Sequence, residues 1–285
     1  MEEFLAGRVC LVTGGAQGIG WAVSQALADH GAQVHACDIS EENLARASRE
    51  LTALPWANRI TLTKCDVAQR AELEGWIAEI YRRAGRIDVL VNNAAFVRWE
   101  DVASMPVEEA ELTMSVGYSG MVYGVKAVLP LMQAAERGHI VNMGSSAGRI
   151  FVGGSSAAYA AVKAAIDGYT QTLQVELRYS PIKVTLVRLA TVAGTDFFRK
   201  HVSSSRMPRL GDFIPYLTPP QVGLGVVRAI REGRSVLDMP GYLSLFYLFF
   251  ALLPGAFRWL IDVGGSGQRL WKSGMAIRSQ TGQNE

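Results

Sequence analysis

Arg8-Val9-Cys10-Leu11-Val12-Thr13-Gly14-Gly15-Ala16-Gln17-Gly18-Ile19-Gly20 is the stretch that decides how this chain is read. Val9 to Val12 is apolar without alternation, which predicts a strand covered on both faces, as in a parallel sheet. A glycine-rich turn follows directly, and the residues after Gly18 carry a helical pattern. Glycines allow a tight turn with positive φ and a close approach of backbone to a ligand. The helix that opens after the turn presents free amides and the positive end of its dipole, the arrangement that suits a pyrophosphate. The spacing Gly14, Gly18, Gly20 departs from the G-x-G-x-x-G form, but the strand–turn–helix context is the one such a motif requires. Gly14, Gln17, Gly18, Ile19 and Gly20 are therefore candidate cofactor-binding residues.

Outward from this turn, strand-length apolar runs alternate with helix-period stretches. Strands are expected at 8–13, 33–37, 60–65, 89–92, 139–143 and 183–189, and helices at 18–30, 41–54, 69–84, 107–135 and 156–180. Such alternation marks an α/β fold, a doubly wound parallel sheet with helices on both faces. No repeat or linker interrupts it, so 1–240 reads as one domain. Beyond Thr195 the alternation stops: 196–218 reads as a loop with short helices, 219–232 as a helix, and 235–239 as a last strand. Asp38 follows the second strand. A carboxylate there can bind both ribose hydroxyls of NAD and would repel a 2′-phosphate. With no basic residue at Gly15, Ala16 or Ile39, NAD(H) is favoured over NADP(H). The competing reading is that Asp38 caps the next helix, a role for which Ser40 is also suited.

Tyr159 and Lys163 stand four residues apart, on one face if they lie on a helix. A free phenol titrates near 10, and a neighbouring cation would lower it toward general acid–base use. Composition narrows the remaining options. The chain has 285 residues, 49% of them hydrophobic, with 28 basic against 26 acidic side chains, for a formal charge of +2. That balance argues against a nucleic-acid surface and a polybasic membrane patch. Three cysteines, Cys10, Cys37 and Cys65, lie in apolar runs without paired spacing, which fits a reducing compartment. The four histidines form no metal-ligand pattern, and no metal is expected. The acidic N-terminus lacks a signal-peptide pattern, so a cytoplasmic location is expected.

Taken together, these motifs resemble the short-chain dehydrogenase/reductase family in its single-domain Rossmann-fold form, over residues 8–196. The resemblance rests on the Thr13–Gly20 turn, Asp66-Val67, Asn92-Asn93-Ala94-Ala95, Ser146, and Tyr159 with Lys163. It implies that Tyr159 is the catalytic acid/base, that Lys163 tunes it and binds the nicotinamide ribose, and that Ser146 bonds the substrate oxygen. Ser145 ranks behind Ser146, because the family spacing to the tyrosine selects the latter. It further implies that Asp66 and Val67 contact adenine, that Asn93 and Ala95 line the cofactor's path, and that Val192 and Thr195 border the nicotinamide. Two departures stand out. Gly117 falls where the family usually has an asparagine that links the lysine to solvent, with a local kink and Ser115 or Ser119 as possible substitutes. Ala190-Thr191 replace a common Pro-Gly.

The run Tyr-Leu-Ser-Leu-Phe-Tyr-Leu-Phe-Phe-Ala-Leu-Leu at 242–253 is apolar almost throughout. At 12 residues it is shorter than the roughly 20 needed to cross a bilayer. A lid over an apolar pocket or a subunit contact ranks ahead of a membrane foot for the segment 241–263; 264–285 reads as a mobile tail. The resulting expectation is an NAD(H)-dependent oxidoreductase interconverting a secondary alcohol and a ketone of apolar character, with Phe96, Trp99, Phe151 and Phe197 as pocket candidates. The alternatives are a non-redox enzyme on the same fold, such as an epimerase or dehydratase, and an NAD-sensing binding protein. By resemblance, the chain would form a homodimer or homotetramer.

Overall fold

The strand expected at 8–13 forms as β1 (Val9–Thr13), buried along its whole length. Its side chains divide by the two-residue period of a strand. Cys10 and Val12 enter one hydrophobic core, and Val9 and Leu11 enter another on the opposite face. A strand covered on both faces has no use for polar alternation, which is why its sequence shows none. The computed structural model describes residues 3–151, 156–193 and 216–262.

Six further strands complete the sheet: β2 (Gln33–Asp38), β3 (Ile60–Lys64), β4 (Val89–Asn92), β5 (Gly138–Met143), β6 (Ile182–Leu189) and β7 (Val236–Met239). They pair in the order β3-β2-β1-β4-β5-β6-β7, with every pairing parallel. The winding reverses between β1 and β4, and in such sheets the crevice beyond the carboxyl ends of those strands is the ligand site. One face is covered by α1 (Gly18–Asp29) and α2 (Glu41–Leu51). The other is covered by α3 (Arg70–Ala84) and by the helices around 107–134 and 157–176. The doubly wound α/β architecture expected from the sequence is thus present.

One helix departs from its expectation. The stretch 107–135 forms α4 (Val107–Met114) and α5 (Gly120–Ala134), joined by a π-helical turn at Ser115–Ser119. Its cause is close packing. A Cβ on Gly117 would stand 2.8 Å from a Val162 methyl, and one on Gly120 would stand 3.0 Å from the Val67 carbonyl oxygen. The turn therefore presses against α6 (Ala157–Glu176), which carries Tyr159 and Lys163. An asparagine at 117 has no room without displacing Val162, so the departure from the family pattern is built into the helix packing. α6 begins where the Ser156 side chain accepts the Tyr159 amide at 3.2 Å, a cap that fixes the first turn around the tyrosine.

Next along the described chain, α7 (Pro219–Glu232) starts with a reciprocal Thr218–Gln221 capping box and packs on α1 through Gly223, where a Cβ would meet the Ala22 carbonyl at 2.6 Å. The C-terminal apolar run forms α8 (Leu243–Leu252), followed by α9 (Pro254–Asp262), with a 119° bend between them. No single described helix is long and apolar enough to cross a membrane. α8 is pinned by Tyr247, whose ring lies 5.6 Å from the guanidinium carbons of both Arg149 and Arg188. Arg188 in turn donates from Nε to Asp167 Oδ2 at 2.5 Å, so a buried ion pair from β6 to α6 underlies the contact. Thr195 and Phe197, and the tail expected at 264–285, lie outside the described residues.

Candidate active site

The turn after β1 takes the shape its glycines require. Gly18 has φ of +52°, a left-handed conformation that other residues reach only at a cost. A Cβ on Gly20 would sit 2.0 Å from the Gly14 carbonyl oxygen, so the first turn of α1 closes onto the loop as only glycine can. Asn93, at the end of β4, braces the loop: its Nδ2 donates to the Thr13 and Gly14 carbonyls at 3.1 and 3.0 Å. Thr13 Oγ1 accepts from the amides of Asn93 and Ala94. The side chain of Gln17 does not cap α1. The amides at the start of this helix therefore face the cleft without a side-chain acceptor, a ready seat for a phosphate.

That cleft runs from the α1 N-terminus to Tyr159. It is lined by Gly14, Gln17, Gly18, Ile19 and Gly20 at one end, by Asn93 and Ala95 along its side, and by Ser145, Tyr159, Lys163 and Val192 at the other. Ala94, Met143, Gly144, Leu189 and Ala190 complete the lining. Of these, only Ala94 and Ala190 drew notice in the sequence; strand-end backbone and apolar side chains carry no chemical signature to read. Asp38 lies outside the lining, buried at the end of β2, with its Oδ1 accepting the Ser40 amide at 3.0 Å. Ser40 supplies the cap for α2, accepting from the Asn43 amide, so the capping role does not fall on Asp38. Asp66 turns its Oδ1 to the Ala68 amide, and Val67 packs beneath Gly120; neither lines the cleft.

The serine in the cleft is Ser145, and Ser146 is not part of its lining. Ser145 is the buried one, 9% exposed, and its hydroxyl hydrogen-bonds the Tyr159 phenol. Its Oγ also accepts the Ala147 amide, and it reaches the Leu189 carbonyl at 3.4 Å. Ser146 instead opens a short 3-10 turn, Ser146–Gly148. Ser145 follows β5 and Tyr159 opens α6, so no helical or strand period fixes the count between them. The count therefore points one residue too far along. The signal that could have found Ser145 is Gly144, packed so closely on β6 that a Cβ would stand 2.8 Å from the Val187 carbonyl. That contact anchors the strand end and aims the residue after it into the cleft.

Electrostatics at the site differ from the expectation of a lysine-lowered phenol. Burial pushes the Tyr159 phenol up from its ordinary value, with the Ser145 hydrogen bond working in the opposite direction. Lys163 Nζ lies 5.8 Å from the Tyr159 ring centroid and donates to the Met143 carbonyl at 2.8 Å. Burial brings its ammonium down to about 8. With no carboxylate paired to it among the described residues, desolvation dominates. Trp99 packs beside Tyr159, ring centroids 6.4 Å apart, adding an apolar wall near the phenol. No group of three or more metal-ligating side chains occurs among the described residues.

Known proteins resemble this arrangement. Residues 8–205 match the family described as short chain dehydrogenase. The chain is 36% identical to the oxidoreductase UcpA of Salmonella typhimurium over 183 residues, 64% of this chain and 68% of that protein. A short chain dehydrogenase/reductase from Burkholderia phymatum, solved in complex with NAD, superposes with a TM-score of 0.77 at 22% identity, covering 90% of this chain and 97% of that one. An actinorhodin polyketide ketoreductase variant with NADPH gives a TM-score of 0.73 at 30% identity, covering 83% of this chain and 97% of that one.

Proposed function

Because the chain belongs to the short-chain dehydrogenase family and is an oxidoreductase of the NAD(P)-binding kind, we propose that it interconverts an apolar secondary alcohol and its ketone, with Tyr159 as the general acid/base. One observation carries the reading: the Tyr159 phenol, the Ser145 hydroxyl and the Lys163 ammonium meet at one end of a cleft whose other end is the glycine-built start of α1. The nicotinamide cofactor, when bound, supplies or accepts the hydride. The glycine turn and the Gly18–Gly20 amides would hold its pyrophosphate, and Lys163 its nicotinamide ribose; Asn93 keeps the turn in shape. Tyr159 passes a proton to the carbonyl oxygen in reduction and takes one from the alcohol in oxidation. Ser145 donates to that same oxygen and stabilises the charge that develops there. Trp99 and the apolar strand ends exclude water and favour an apolar substrate.

The test is a panel of apolar secondary alcohols and ketones with either cofactor, followed by nicotinamide absorbance. Turnover is expected with at least one pair, and Ser145→Ala is expected to lower it by roughly a hundredfold, the usual worth of one oxyanion donor. Ser146→Ala is expected to change it little. An equal loss in both variants, or no turnover with any substrate, would remove the assignment.

Asp38 supports a preference for NAD(H). Its carboxylate is buried at the end of β2 with only Oδ1 engaged, beside an exposed Ile39 that offers no positive charge. A 2′-phosphate brought against it would meet like charge, which costs several kcal/mol. Asp38→Asn is expected to narrow the NAD-over-NADP ratio of kcat/KM by about tenfold or more. An unaltered ratio would show that the carboxylate does not read the ribose.

A further inference from the structure

The face that α8 and α9 turn outward has no partner in the described chain. Leu245, Leu248, Leu252, Leu253, Trp259 and Leu260 are between 42 and 69% exposed, on two short helices joined at a sharp bend. Single exposed leucines are ordinary; six large apolar side chains exposed between positions 245 and 260 mark a contact. The inward face is fully engaged and does not compete for this surface. Tyr247 packs against Arg149 and Arg188, Phe257 is buried, and Phe246, Phe249 and Phe250 pack edge-on against Phe257. The helix pair is therefore held in place on the protein, and its leucine face is presented rather than left over from a missing core.

We propose that this face docks on an anionic lipid surface, the two helices lying within one leaflet. Three observations select lipid over a protein partner. First, the outward side of 245–253 offers no side-chain hydrogen-bonding group, since its one polar residue, Tyr247, turns inward. A protein interface carries about one hydrogen bond per 100–200 Å², whereas acyl chains ask for none. Second, α8 and α9, at 10 and 9 residues, reach roughly 15 Å each. That is half the roughly 30 Å of a hydrocarbon core, which fits helices lying in the interface and not spanning it. Third, the sequence beyond β7 leans basic. Residues 241–285 hold four basic side chains, Arg258, Arg269, Lys272 and Arg278, against Asp262 and Glu285. The chain's whole formal excess of +2 lies there, and the preceding residues balance. Exposed Trp259 beside Arg258 gives the aromatic–cationic edge that sits at lipid headgroups.

The surface also stands at the correct edge of the molecule. β7 runs parallel to its neighbours, so α8 leaves the sheet at the carboxyl edge that holds the cleft. Arg258 Nε donates to the Phe151 carbonyl at 3.1 Å, and the Phe151 ring packs on Phe250. The lipid-facing pair is thereby tied to the segment that follows Ser145.

The test is flotation of the full-length protein with vesicles of phosphatidylcholine mixed with phosphatidylglycerol, and with vesicles of phosphatidylcholine alone. The protein is expected to float with the mixed vesicles, less with the neutral ones, and less as salt is raised. The triple variant Leu245→Glu/Leu248→Glu/Leu252→Glu changes only exposed positions and is expected to keep its circular dichroism while its bound fraction falls by roughly tenfold or more. No flotation of the unmodified chain, flotation indifferent to phosphatidylglycerol, or equal flotation of the triple variant would overturn the proposal. So would a protein dimer in solution that the triple variant dissociates without any vesicle binding.

Discussion

Tyr159→Phe is expected to lower turnover by roughly a thousandfold while leaving cofactor affinity nearly unchanged. The substitution removes one oxygen. Ser145 keeps its bonds to the Ala147 amide and the Leu189 carbonyl, and the Gly14–Gly20 seat at the far end of the cleft is untouched. In the proposed reaction the phenol exchanges a proton with a carbonyl oxygen polarised by Ser145. The pH dependence follows from its surroundings. Burial holds the phenol up, so at neutral pH it is protonated and suited to reduction. Oxidation needs the phenolate, and its rate is expected to rise with pH. Stopped-flow measurement of the chemical step in both directions checks this; a phenylalanine variant retaining a tenth of the rate would mean another group moves the proton.

Lys163→Met is expected to do two opposite things: abolish detectable turnover and stabilise the cofactor-free protein. Burial lowers the Lys163 ammonium from 10.5 to about 8, a cost of roughly 3 kcal/mol for keeping the cation in the folded state. Methionine has nearly the same length and carries no charge. It leaves the Met143 carbonyl without its donor, which returns about 1 kcal/mol of that gain. The net, about 2 kcal/mol, corresponds to a rise of several degrees in melting temperature. The sign with pH is fixed by linkage. A lysine whose folded value lies below its unfolded value penalises folding in full below about pH 8, and the penalty fades as pH rises from 8 toward 10.5. The stabilisation of the methionine variant is therefore expected to be largest near neutrality and to shrink in alkali. A variant less stable than the unmodified protein at pH 7, measured without cofactor, would contradict it.

Much of this molecule could be read before it was seen, for physical reasons that differ by element. β1 and β4 are legible because burial on both faces forces continuous apolar runs, and the glycine turn because Gly18 and Gly20 answer to backbone geometry rather than to a partner. Tyr159 and Lys163 lie on one helix, so their relation is local and periodicity carries it. Ser145, the serine that lines the cleft, ranks behind Ser146 in the sequence because no periodicity constrains its separation from Tyr159. The upward shift of the phenol was not legible because the sequence shows the neighbouring charge of Lys163 and not the burial of Tyr159. The Tyr247 contact joins residues 149, 188 and 247 from separate parts of the chain, a long-range arrangement without a local trace. The apolarity of 242–253 was plain, yet which of its leucines face out depends on where Tyr247 and Phe257 are pinned.

The π-helical turn at Ser115–Ser119 has a consequence of register. A π-turn holds one residue more than the α-helical turn it replaces, and each residue of an α-helix turns it by about 100°. α4 and α5 are thus two straight pieces whose faces are out of phase by one insertion, and that offset lets Gly117 meet Val162 while Gly120 meets Val67. Winding the same residues as an unbroken α-helix would remove that offset. It would also rotate everything on one side of it by that angle, carrying one of the two glycines away from its neighbour. The irregular turn works as a phase shifter: it lets one length of chain fit two surfaces that no uniform helix could satisfy together.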